Sequence, residues 1–255
     1  MTTEVGPDSP PIALVTGGSR GLGRALVTEL LRTGWRVVTD GRDPDALSRL
    51  RDQVAAPGTL STVAGDVADP GHRAALISTV AALGGLDLLV NNASLLGPGQ
   101  AIDQAELVGT AGFGLRALAD YPISALSDVY TVNVLAPLAL CQMALPHLQR
   151  RTGRIINISS DAAVEAYEGW GGYGSSKAAL DQLTNVLAAE QPGLRIYALD
   201  PGDMRTDMHA QAFPGEDISD RPEPETVLPA LARLIDGDLP SARYRASALL
   251  PQVTG

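Results

Sequence analysis

The strongest constraint on what this chain can fold into is an alternation along its length. Short runs rich in Ile, Val and Leu recur at residues 12–16, 35–40, 60–66, 86–93, 153–160 and 194–202, with helix-patterned stretches between them. The stretch after the first run shows the pattern: Leu22, Ala25, Leu26 and Leu30 share one helical face, and Gly34 marks the stop. Asp43 with Pro44 and Asp69 with Pro70 open the next two helices. Longer helical stretches follow over 123–150, 175–190 and 224–237, with an edge strand at 242–247. Apolar strands in helix alternation call for a parallel sheet covered on both faces, since each parallel crossover needs a helix-length connection. The expected fold is therefore α/β, a single doubly wound (Rossmann) domain with a parallel sheet flanked by helices on both faces. No composition break or internal repeat divides the 255 residues, so 12–255 reads as one domain after a flexible polar tail over 1–11.

Composition narrows the classes. The single cysteine, Cys141, excludes an internal disulfide and, inside "LALCQMAL", reads as a small buried hydrophobe. A net charge of −10 argues against a general nucleic-acid surface. The polar, acidic start lacks the basic and apolar regions of a signal peptide. No run approaches about 18 consecutive apolar residues, so no membrane span is expected and the cytoplasm is the default location. His72, His147 and His209 are scattered and support no metal site.

Two motifs carry chemistry. The first strand runs into "TGGSRGLGRAL", where Gly17, Gly21 and Gly23 occupy the turn into a helix. Missing β-carbons there let a pyrophosphate approach the free N–H groups of the helix start, with the helix dipole assisting. The second motif is "YEGWGGYGSSKAAL" (167–180), in which Tyr173 has Lys177 four residues on. On a helix, phenol and ammonium would share one face. A free phenol near a pKa of ~10 moves protons poorly at neutral pH, and a neighbouring ammonium favours its ionised form.

Together these motifs resemble the short-chain dehydrogenase/reductase family, over roughly residues 12–247. Its Thr-Gly-x-x-x-Gly-x-Gly loop matches Thr16 to Gly23, and the resemblance implies that Thr16, Gly17, Ser19, Arg20, Gly21, Leu22 and Gly23 hold the cofactor's phosphates. At the end of the second strand, where family members often carry an acidic ribose ligand, "VVTDGRD" places Gly41, followed by Arg42. Arg20 and Arg42 would suit a 2′-phosphate, so NADP(H) is favoured over NAD(H). Sliding the match by one residue would instead make Asp40 a ribose ligand and favour NAD. Asp66 and Val67 correspond to the adenine contacts. "NNAS" matches an Asn-Asn-Ala-Gly turn, implying contacts from Asn92, Ala93 and Ser94, with Ser94 in place of glycine. After the sixth strand, Pro201, Gly202, Met204 and Thr206 would line the nicotinamide.

The resemblance extends to catalysis. Ser160 lies thirteen residues before Tyr173, the family's layout, and is preferred over Ser159, whose side chain faces the opposite way along the strand. Tyr173 would be general acid and base, Lys177 would hold the nicotinamide ribose and tune the phenol, and Ser160 would steady the substrate oxygen. Asn133 would hold a water in a proton relay, in a helix interrupted by Pro137, and Tyr167 falls where substrate contacts are expected. The implied activity is NADP(H)-dependent interconversion of a carbonyl and a secondary alcohol on a small organic or secondary-metabolite substrate. Alternatives are an NAD-dependent alcohol dehydrogenase, sugar-nucleotide epimerase or dehydratase chemistry, and a non-catalytic NADP-binding sensor. A homodimer or homotetramer is implied as well.

Two features depart from the pattern. Residues 97–121 form an insertion, expected to cover the substrate pocket or alter a subunit contact. Asp161, Glu165, Glu168, Asp203 and Asp207 crowd the expected rim, as solvated loop charge or as a preference for a cationic substrate.

Overall fold

The computed structural model describes residues 9–54, 59–97 and 116–250. Seven strands form one parallel sheet in the order β3-β2-β1-β4-β5-β6-β7. They are β1 (Ile12–Val15), β2 (Arg36–Gly41), β3 (Leu60–Ala64), β4 (Leu88–Asn91), β5 (Arg154–Ile158), β6 (Arg195–Asp200) and β7 (Arg243–Arg245). The chain steps outward from β1 to β3, then returns to lay β4 on the other side of β1. This reversal opens a crevice at the carboxyl ends of β1 and β4, the usual ligand site of such sheets.

Alternation along β1 shows how both faces are covered. Ala13 and Val15 join one core with Leu26 and Leu30 of α1 (Gly21–Arg32) and Leu231 and Leu234 of α8 (Leu228–Asp236). Ile12 and Leu14 face the other way, onto Leu76 and Val80 of α3 (Pro70–Leu83) and Leu140 and Leu148 of α5 (Ala136–Arg151). Helix starts follow the local code. Asp43 caps α2 (Pro44–Gln53), accepting from Asp45 N at 2.9 Å and Ala46 N at 3.2 Å. Asp69 caps α3 by accepting from Gly71 N at 2.9 Å, and Gly84 closes that helix at φ 104°.

The region 123–150 is α4 (Ile123–Tyr130), a π-helical turn over Thr131–Leu135, then α5. The interruption expected at Pro137 thus lies one step earlier, in the π-helical turn just before it, where the ladder shifts to accommodate a proline that offers no N–H. The continuous helix Ile123–Arg151 is long and apolar enough to cross a membrane by length and composition, with mean hydropathy 1.4. Polar residues punctuate it, which is why a search for an unbroken apolar run passes it by. Its inner side packs on α3 and on β4 and β5, while Ile123 and Leu135 stay exposed. Cys141 is buried there, as expected, and desolvation pushes its thiol up to about 12.

Helix α6 (Gly171–Glu190) begins four residues before the expected 175. Gly171, Gly172 and Gly174 look like a loop by propensity, but each is required by packing. A β-carbon at 171 or 172 would collide with Leu118 or Tyr121, and one at 174 would sit 2.6 Å from the Ala162 carbonyl. The helix over 224–237 opens with a 3-10 turn, Pro224–Val227, before α8. Two short helices were not expected, α7 (Asp207–Ala212) and α9 (Ala246–Leu249). The tail is tied down at its end, where the Pro11 carbonyl accepts from Arg36 N at 2.8 Å. Most of the 97–121 insertion, residues 98–115, lies outside the described residues.

Candidate active site

A cavity of about 590 Å³ runs along the carboxyl ends of the strands from β2 to β6. The glycine loop forms one end. Gly17 and Gly21 have φ values of 68° and 53°, and a β-carbon at Gly23 would strike the Gly17 carbonyl. Arg20, at the start of α1, makes no side-chain cap and no acidic residue occupies the first turn, so the helix offers uncapped N–H donors to the cavity. This is the arrangement a pyrophosphate fits. Asn92 braces the loop from β4, donating to the carbonyls of Thr16 at 2.8 Å and Gly17 at 3.2 Å. The Thr16 hydroxyl accepts from the backbone N–H groups of Asn92 and Ala93, both at 3.0 Å.

At the ribose end the structure decides what Asp40 does. Its Oδ1 accepts from Gly17 N at 2.7 Å and its Oδ2 pairs with His72 Nε2 at 2.8 Å, both side chains being buried. Asp40 is therefore spent on the loop and on His72, and a β-carbon at neighbouring Gly41 would sit 2.8 Å from Ser19 Oγ. Arg20, Arg24 and Arg42 are exposed and line the cavity, Arg42 directly after Gly41, while Arg20 pairs at 3.5 Å with Asp207, next to Thr206. Asp66 and Val67 line the same end, with Asp66 Oδ1 accepting from Ala68 N at 2.9 Å.

The other end holds the Ser–Tyr–Lys corner. Starting α6 at Gly171 puts Tyr173 in its first turn, with Lys177 Nζ 5.5 Å from the ring centroid. Lys177 is 2% exposed, donates to the Ile158 carbonyl at 2.7 Å, and is lowered to about 8 by burial, against a smaller raising effect of Asp181. Burial pushes Tyr173 up to about 12; hydrogen bonding from Ser94 and Ser160 lowers it, while Asp161 and Asp200 raise it. Lys177 thus does not make the phenol acidic here: the lowering comes from the two serines, and desolvation outweighs it.

Ser159 and Ser160 both line the cavity; the Ser160 hydroxyl donates to Asp161 Oδ1 at 3.0 Å, while the Ser159 hydroxyl is buried without a hydrogen-bond partner. Ser94, standing where glycine was expected, donates to Asn133 Oδ1 at 3.2 Å. Pro201, Gly202, Met204 and Thr206 border the same end, and Thr206 also caps α7 by accepting from His209 N at 3.2 Å.

Most of the expected residues line this one cavity. Thr16, Gly23, Asn133 and Tyr167 do not; the first three support it from behind, and Tyr167 lies outside it. Asn133 is buried and its amide is spent on protein: Oδ1 accepts from Leu95 N at 2.8 Å, and Nδ2 donates to Leu95 O and Ser176 Oγ, both at 2.9 Å. Its side chain braces the 94–95 turn. The rim acids are largely engaged too: Tyr167 donates to Asp161 Oδ2 at 2.9 Å, Glu165 meets Arg245 at 3.5 Å, and Asp203 lies 3.8 Å from His209. The sequence reading missed Trp170, which lines the cavity edge-on to Tyr173 at 5.8 Å, although an aromatic three residues before the key tyrosine was a usable signal.

An uncapped glycine-loop helix at the switch point of a doubly wound sheet, leading to a Ser–Tyr–Lys corner, is the architecture of a dinucleotide-dependent oxidoreductase. The chain belongs to the short-chain dehydrogenase/reductase family, whose short chain dehydrogenase model matches residues 11–217. It is 32% identical to mouse (Mus musculus) sepiapterin reductase over 94% of this chain and 90% of that protein. It is 35% identical to the 3-oxoacyl-acyl-carrier-protein reductase of rhamnolipid biosynthesis in Pseudomonas aeruginosa, over 75% of this chain and 72% of that one. A short-chain dehydrogenase of Escherichia coli CFT073, solved with NADPH, superposes with a TM-score of 0.79 at 28% identity, covering 92% of this chain and 96% of that one.

Proposed function

We propose that the enzyme uses NADPH to reduce the carbonyl of a small organic or secondary-metabolite substrate to a secondary alcohol, reversibly, with Tyr173 as proton donor. One observation carries this reading: Ser160, Tyr173 and Lys177 share a cavity with the uncapped start of α1 and with Arg42. A bound nicotinamide dinucleotide would supply the hydride. Ser160 would orient the substrate oxygen, Tyr173 would deliver the proton to it, and Lys177 would hold the ribose and keep positive charge behind the phenol. The preference for NADPH rests on Asp40 being turned under the loop, on Gly41 offering no carboxylate, and on Arg42 beside it. The resemblance to solved NADPH-binding relatives supports it. Initial rates on a panel of ketones and aldehydes, with NADPH and NADH side by side, test the reading. At least about tenfold higher kcat/KM with NADPH is expected, about 1.4 kcal/mol of discrimination, and equal use of the two would remove the preference.

A pH dependence follows. Reduction needs a protonated phenol and a charged lysine. With Tyr173 at about 12 and Lys177 at about 8, reduction should hold steady below pH 8 and fall above it as the ammonium is lost. Oxidation of the alcohol needs the phenolate together with the same charged lysine, so it should climb by up to about tenfold per unit towards pH 8 and level off above it. Initial rates in both directions across neutral and alkaline pH check this; oxidation that falls as pH rises would contradict it.

A further inference from the structure

Tyr173, Lys177 and Asp181 follow one another at four-residue intervals along α6, all buried. Only the first two belong to the proposed chemistry, yet Asp181 is firmly held. Its Oδ2 accepts from Arg243 Nε at 2.8 Å, while its Oδ1 is buried with no hydrogen-bond partner. Arg243 comes from β7, the edge of the sheet, but its guanidinium reaches inward. Nη2 donates to the Ser160 carbonyl at 2.9 Å and approaches Asp200 Oδ2 at 3.3 Å. The three contacts fall on three elements: α6, the residue pair after β5, and the end of β6. Asp200 Oδ1 in turn accepts from Gly202 N at 3.0 Å, within the positive-φ turn that lines the cavity.

We infer that Arg243 is a positioning residue for the reaction: one guanidinium fixes the Ser160 backbone, the carboxylate behind Lys177 and the carboxylate beneath the Gly202 turn in a single register. The inference rests on the Tyr173 reading above. A planar fork can span three acceptors in different directions, which a lysine's point charge cannot. Charge adds a second role. Asp161 and Asp200 face Tyr173 and favour its protonated form, and Asp181 does the same for Lys177. Arg245, the other cation near Asp200, is 3.7 Å away, half exposed and shared with Glu165. Arg243 is thus the close counter-charge to Asp181 and Asp200, and without it both carboxylates act unscreened on the acid–base pair.

The test is the pH profile of purified variants. Arg243→Met should lower kcat for reduction about tenfold or more, since small misplacements of reacting groups are expensive. It should also move the alkaline limb of kcat upward by about one pH unit, with the NADPH Kd unchanged. Arg243→Lys restores charge without the fork, so the limb should return towards wild type while kcat recovers only in part. Asp181→Asn removes the carboxylate instead of its partner and should move the limb the opposite way, to lower pH. That opposite sign decides the matter even if Arg243→Met is insoluble. A wild-type limb and kcat in Arg243→Met with only a lowered Tm, or an unmoved limb in Asp181→Asn, overturns the inference. Tyr173→Phe run alongside separates the two readings. If it retains turnover, the Tyr173 assignment fails whatever Arg243 does; if it is inactive while the profiles stay put, only the role of Arg243 fails.

Discussion

Replacing Tyr173 with Phe should lower kcat for carbonyl reduction by about 10³-fold or more, with NADPH affinity held within about a factor of two. The substitution removes one oxygen from a ring that is 7% exposed and packed with Leu96, Ala162 and Ala212, so the ring itself keeps its contacts. What disappears is the proton donor at the end of the cavity and the phenol's hydrogen-bond contact with Ser94 and Ser160. Neither serves the glycine loop at the far end, whose donors come from the start of α1 and whose bracing comes from Asn92 and Asp40. Affinity and turnover should therefore part company. Cofactor titration by fluorescence, steady-state rates and a thermal melt on the same preparation make the comparison. Turnover within tenfold of wild type would show that another group supplies the proton; a matched loss of cofactor binding would show that the phenol had a structural task instead.

What could be read beforehand divides by distance along the chain. The β1–loop–α1 unit and the starts of α2 and α3 were legible because turn, cap and apolar face are all coded within about a dozen neighbouring residues. The Tyr173–Lys177 pairing was legible for the same reason. The true start of α6 was not, since its glycines answer to Leu118, Tyr121 and the Ala162 carbonyl, side chains and backbone from other segments. Asn133 was singled out correctly as a buried amide needing partners, but those partners, Leu95 and Ser176, are 38 and 43 residues away and spend its side chain on the scaffold. Asp40 stood out as an acid at the end of an apolar strand, and two roles were open to it. The choice depended on a histidine 32 residues later that nothing local connected to it. Arg243 was harder still, reaching partners 43, 62 and 83 residues away from what looked like a mere edge strand.

Asp40→Ala should cost about 3 kcal/mol of stability, the lower end for breaking a buried pair, which for a chain of this size means a Tm lower by roughly 6–12 °C. Both carboxylate oxygens are in use, on Gly17 N at 2.7 Å and His72 Nε2 at 2.8 Å, and alanine leaves two polar groups buried without an acceptor or partner. The damage is not confined to stability. Gly17 sits at φ 68° at the head of the phosphate loop, and losing the hydrogen bond that pins its N–H frees the turn that aims the start of α1 into the cavity. NADPH affinity should fall about tenfold, the reverse of the Tyr173→Phe pattern, because order that the protein now supplies would have to be supplied by binding. Asp40→Asn separates the two contacts: its amide oxygen can still accept from Gly17, while its NH₂ can donate to His72 only when Nε2 carries no proton. The asparagine variant should accordingly keep most of the cofactor affinity and show a smaller loss in Tm than the alanine variant. If Asp40→Ala melts with the wild type, the pair beneath the loop contributes nothing measurable. If instead alanine and asparagine weaken NADPH equally, the pinning of Gly17 is not what shapes the loop, and Asp40 must be acting on the ribose after all.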